Sequence, residues 1–62
     1  MWEVGDTLII IDSEALNYIH SLTDGEKYVV VDTWYDGSPI IKNDRDISIC
    51  LYKEDMEYIL KL

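Results

Sequence analysis

Residues 21–44 read SLTDGEKYVVVDTWYDGSPIIKND, and the punctuation of this stretch decides what kind of fold the chain builds. Asp24-Gly25 and Asp36-Gly37 are turn pairs, because glycine enters positive φ without a Cβ clash. Between them, Lys27 to Tyr35 alternates with the period of a strand. Tyr28, Val30, Asp32 and Trp34 fall on one side, and Val29, Val31, Thr33 and Tyr35 on the other. The first set is expected to face inward, with Tyr35 turned away from it. Asp32 interrupts that set, so a bulge or bend is expected near it. Asp36-Gly37 reads as a two-residue hairpin turn and Ser38 to Lys42 as the partner strand. Pro39 has no N–H, so it belongs at the start of that strand or on an unpaired edge.

The flanks continue the pattern. Thr7 to Asp12 is short, rich in β-branched residues and opened by Gly5-Asp6, which favours a strand. In Ser13 to Leu22, Ser13 is placed to cap a helical turn, and Leu16, Ile19 and His20 have i, i+3, i+4 spacing. Ten residues are too few for a helix to stand alone. A short helix and a loop folded back on the sheet are both open readings. Asn43 to Asp46 is a second polar turn. Ile47, Ile49 and Leu51 then alternate with Ser48, Cys50 and Tyr52. Lys53 to Met56 reads as a single helical turn, of the 3-10 kind, before a last strand at Tyr58 to Leu62. The expectation is an all-β domain spanning residues 1–62, with five short strands and a long first loop or short helix. A small, strongly bent, partly open barrel satisfies the need to protect strand edges.

Composition narrows the classes of function. A chain of 62 residues buries only about 60% of its unfolded surface, so its stability is marginal. One cysteine, Cys50, excludes an internal disulfide, and Cys50 with His20 cannot supply the four ligands of a structural zinc site. The apolar run Leu8 to Ile11 is far too short for a signal segment or a membrane span. A lone thiol fits a reducing compartment, so a cytoplasmic protein is expected. Thirteen acids against five bases give a formal net charge of −8. All five bases lie in residues 27–62, while residues 1–26 hold Glu3, Asp6, Asp12, Glu14, Asp24 and Glu26. Direct nucleic-acid binding and anionic membranes are disfavoured by that charge, whereas a basic protein surface attracts it. The same charge also serves solubility alone.

Val4-Gly5-Asp6, the strand and long loop after it, Leu22-Thr-x-Gly-x-x-Tyr28, the hairpin, and Leu51-Tyr52 before an acidic turn occur here in that order. In this the chain resembles the small SH3-like barrel proteins of bacteriophages and prophages, across nearly its whole length. The resemblance implies a five-stranded SH3-like barrel, the first long loop in the place of the SH3 "RT" loop, and no catalytic residues. It implies a viral protein acting in the host cytoplasm. The acidic Ser13–Ser21 insertion and the net charge depart from the pattern.

Chemistry of other kinds finds little purchase. Nucleophilic catalysis would need Cys50 or a serine beside His20, the one histidine, oriented by a third group; Cys50 falls mid-strand, with no helix N-terminus to activate it, and reads as a packing residue. Asp44, Asp46, Glu54 and Asp55 read as solvated turn acids rather than paired carboxylates. No phosphate loop, cofactor motif or catalytic group is expected. The aromatics weigh more: two Trp and five Tyr, with no Phe. Trp and Tyr anchor interfaces, and they also fill out the core of a small domain. The leading expectation is a non-enzymatic docking module. Its surface would comprise Asp12, Glu14 and Tyr18 on the long loop, Asp24 and Glu26 at the turn, and Tyr35 and Asp36 at the hairpin. Its partner would be a basic protein, in the most specific version a host nucleic-acid-binding protein inhibited by nucleic-acid mimicry. The alternative is a self-assembling homo-oligomer, pairing at Ser38–Lys42 or at the C-terminal segment.

Overall fold

The computed structural model describes residues 1–16 and 21–62. Among the described residues five strands form: β1 (Thr7–Ile10), β2 (Lys27–Thr33), β3 (Pro39–Lys42), β4 (Ser48–Cys50) and β5 (Ile59–Lys61). They make one antiparallel sheet in the order β4-β3-β2-β1-β5. Among the described residues no pairing joins β4 to β5, so the sheet is open rather than closed on itself. The first strand is shorter than the expected Thr7–Asp12, ending at Ile10. Pro39 opens β3, where its missing N–H costs no ladder bond.

Side chains alternate as a half-buried sheet requires. Leu8, Ile10, Tyr28, Val30, Ile41 and Ile59 point into the core, joined by Leu51 and by Leu16 from the long loop. Trp2, Leu22, Ile49, Met56 and Tyr58 pack around them. The bulge expected near Asp32 is present. Val30 pairs with Ile41 and Asp32 with Ile40, so β2 spends two residues where β3 spends one. A one-residue bulge reverses which side chains face inward beyond it. That reversal corrects the expected inward placement of Asp32 and Trp34: both are exposed.

Both hairpins of the β2-β3-β4 meander use one design. In the first, Gly37 N–H donates to Trp34 C=O and Trp34 N–H to Ser38 C=O, both at 2.8 Å. The central turn residues are therefore Tyr35 and Asp36, with Gly37 following at φ 90°. This is a type I turn with a G1 bulge, not the two-residue Asp36-Gly37 turn expected from the dipeptide. In the second, Asp46 N–H donates to Asn43 C=O and Asn43 N–H to Ile47 C=O, both at 2.9 Å. Asp46 there takes the left-handed position at φ 63°.

Among the described residues two 3-10 turns complete the fold. Lys53–Tyr58 precedes β5, as expected. The turn at Ser13–Ala15 is capped by Asp12 rather than by Ser13: Asp12 Oδ1 accepts the Glu14 N–H at 3.2 Å. Leu16 follows, fully buried, and ties the loop to the core. Ile19 and His20, the rest of the expected i, i+3, i+4 set, lie outside the described residues. The chain ends are tied together by Lys61. Its Nζ donates to Met1 C=O at 2.9 Å, lies 3.3 Å from Asp6 Oδ2 and sits 5.3 Å from the Trp2 ring centroid.

Candidate functional site

The described residues of the expected docking surface fall at two separate ends of the sheet. Because β1 runs antiparallel to β2, with Ile9 opposite Lys27, the end of β1 and the start of β2 lie together. Asp12, Glu14, Asp24 and Glu26 therefore gather at that end. The Ser13 N–H donates to Asp24 Oδ1 at 2.7 Å, which locks the 24–25 turn against the loop after β1. All four acids are exposed. Asp24 is held below the ordinary carboxylate range, chiefly by the Ser13 backbone N–H. Tyr18 lies outside the described residues.

Tyr35 and Asp36 lie at the other end of β2. Seven residues of strand span about 20 Å, against molecular extents of 26 × 22 × 21 Å, so the hairpin is close to a full molecular width away. The six described residues of the surface expected from the sequence are thus split between two surfaces. Tyr35 is 91% exposed and stacks on Trp34, with centroids 4.6 Å apart and planes inclined by 30°. Asp36 Oδ1 accepts the Ser38 N–H at 2.9 Å, and that bond lowers the carboxyl's pKa. Beside it, Trp2, Gly37, Ser38, Lys53 and Met56 line, with Asp36, an open groove of about 410 Å³.

The sequence reading missed Trp34, Trp2 and Met56 at this end. Trp34 was hidden by the bulge, which no local signal counts residue by residue. Trp2 comes to the groove through long-range contacts. Cys50 lies nearby, and burial first, then the Asp36 charge, raise its thiol pKa. A thiol held protonated is a poor nucleophile.

The charge at both ends is open to solvent. The ion pairs among the described residues are Lys61–Asp6 and Lys42–Asp46 at 3.3 and 3.7 Å, and neither involves Asp12, Glu14, Asp24, Glu26 or Asp36. The turn acids otherwise differ from expectation in their duties. Asp55 is 2% exposed and accepts the Tyr52 N–H at 2.8 Å, so it is a buried cap rather than a solvated turn acid. Asp44 accepts from Thr23 Oγ1 and from the Tyr28 hydroxyl at 2.7 and 2.8 Å. The Ser38–Lys42 segment is not an edge, since β3 pairs with β2 on one side and β4 on the other. The edges are β4 and β5. Among the described residues no three His, Cys, Asp or Glu side chains form a metal-binding group, and no helix is long and apolar enough to cross a membrane.

Comparison with protein-family models, with curated proteins and with solved structures finds no match.

Proposed function

We propose that the chain is a non-enzymatic, SH3-like binding module of the phage type that docks through its carboxylates on a basic protein surface in the host cytoplasm. The β1-to-β4 meander with β5 returning beside β1, the long loop after β1 and the 3-10 turn before β5 support the SH3-like reading. One observation carries the docking reading. Asp12, Glu14, Asp24 and Glu26 stand exposed at one end of the sheet, with no Lys or Arg paired to them among the described residues. The Asp24 pKa is lowered because the Ser13 backbone N–H solvates its charge. A fixed group of carboxylates is an electrostatic complement for a Lys- or Arg-rich cleft. In its most specific form it occupies a cleft that otherwise takes phosphates, and the protein inhibits or modulates a host nucleic-acid-binding protein. The stacked Trp34–Tyr35 pair and Asp36 form a second, separate contact.

The test is affinity capture from a bacterial lysate with the wild type and with the Asp12→Asn/Glu14→Gln/Asp24→Asn/Glu26→Gln variant. Asparagine keeps the Oδ1 acceptors that the fold uses at positions 12 and 24. The expected result is a basic protein held by the wild type, lost from the variant, and released by duplex oligonucleotide. Equal capture by both proteins contradicts the docking reading. Capture that oligonucleotide leaves intact contradicts mimicry alone.

A further inference from the structure

We propose that the outer face of β5, β1 and β2 is a dimer interface whose occupant is a second copy of this chain. The inward positions of these strands build the core, and water-facing positions of such a sheet are ordinarily polar. Here, besides Thr7, Lys27 and Asp32, they are aliphatic: Ile11, Val29, Val31, Leu60 and Leu62 are 53, 52, 43, 51 and 57% exposed, and Ile9 is half-buried among them. The register makes one continuous patch. Ile9 lies opposite both Leu60 and Lys27, Thr7 opposite Val29, and the Leu62 N–H donates to Thr7 C=O at 2.9 Å.

Three observations select a second copy over other occupants. First, in a chain of net charge −8 the outward positions of these three strands hold a single carboxylate, Asp32, toward the far end of β2. Two such faces meet with little opposing acid, whereas a basic partner finds one carboxylate to pair with. Second, the six side chains offer roughly 500 Å² per copy, and two copies reach the ~1,000 Å² that a specific interface needs. Third, a two-fold axis that sets the β2 strands antiparallel brings Lys27 of one copy toward Asp32 of the other, and both are exposed. Asp32 pairs with Ile40 across the sheet on this outward side, beyond the bulge. Such a dimer leaves the carboxylate end free, and its salt response is opposite to that of docking. Salt screens the repulsion between two chains of charge −8 and tightens the dimer.

Sedimentation equilibrium from ~10 μM to ~1 mM protein, at ~20 and ~300 mM salt, reads the association directly. The expected mass rises with concentration toward twice 7.3 kDa, and the dimer tightens with salt. Val29→Glu, which places two carboxylates in the interface, is expected to weaken dimerisation at least ~100-fold. Lys27→Glu and Asp32→Lys separately weaken it about tenfold, and together restore it; these exposed changes leave the core alone. A 7.3 kDa mass at every concentration overturns the proposal. So does a dimer that Val29→Glu and the charge swaps leave unchanged, which assigns association to the β4 or β5 edge instead.

Discussion

The Tyr28 hydroxyl donates to Asp44 Oδ1 and accepts the Thr23 backbone N–H, each at 2.8 Å. Asp44 also accepts from Thr23 Oγ1, and its own N–H donates to Ser21 C=O at 2.8 Å. One phenol and one carboxylate therefore clamp the end of the long loop between β2 and the β3-β4 hairpin. Removing the hydroxyl with Tyr28→Phe leaves a part-buried N–H without its acceptor and is expected to cost about 1–2 kcal/mol. Asp44→Ala should cost a similar amount, and the double variant less than the sum, with a coupling of about 1 kcal/mol. Urea unfolding of the four proteins checks this, and strict additivity contradicts the clamp.

The paired hairpins predict opposite responses to matched changes. Gly37 sits at φ 90° with open space where a Cβ would be, so Gly37→Ala suffers backbone strain alone, about 1 kcal/mol. Asp46 occupies the corresponding place with a side chain, at φ 63°. Asp46→Gly relieves that conformation and is expected to stabilise by about 0.5 kcal/mol, net of its exposed ion pair with Lys42. Thermal melts of the two variants should move in opposite directions.

Leu16 is the loop's only fully buried described side chain. Leu16→Ala should destabilise by about 3 kcal/mol, a large share of what so small a domain has. If the loop were merely laid on the surface, the loss would be a few tenths of a kcal/mol.

Stability should fall at both pH extremes. Asp6, Asp24 and Asp36 have lowered folded-state pKa values, chiefly through the backbone N–H groups of Glu3, Ser13 and Ser38. Their contributions are complete above the unfolded value of about 3.9 and vanish as pH drops through the folded values. Tyr28 has the opposite sign. Burial, with the Asp44 hydrogen bond adding to it, raises its pKa above 10.0. Its contribution is complete below the unfolded value and is lost as pH climbs through the folded one. Urea midpoints should be level between about pH 5 and 8 and fall outside that range. Asp24→Asn should flatten the acid limb, and Tyr28→Phe the alkaline one.

The meander, the bulge, the place of Pro39 and the turn before β5 were legible because each is written in neighbouring residues. Dipeptide signals and period-2 alternation carry that much. Beyond the bulge, local reading failed. One extra residue in β2 reversed the facing of Asp32 and Trp34, and so exposed an indole taken for core. The turn at Tyr35–Asp36 was misplaced by one residue for a similar reason. An Asp-Gly pair fits a two-residue turn and a G1-bulge turn equally well, and the partner strand decides between them. The carboxylate surface was legible residue by residue but not as a shape. Antiparallel pairing of β1 with β2 gathers Asp12, Glu14, Asp24 and Glu26, while the length of β2 carries Tyr35 and Asp36 away. Long-range contacts of Asp44 and Lys61 were invisible, since each joins segments far apart in sequence.

The affinity of the captured partner as a function of salt tests the carboxylate-docking account most directly. The account predicts a steep, near-linear fall of log K with log salt for the wild type. The slope should be much shallower for the Asp12→Asn/Glu14→Gln/Asp24→Asn/Glu26→Gln variant. An affinity that salt leaves unchanged, or equal slopes for the two proteins, contradicts it.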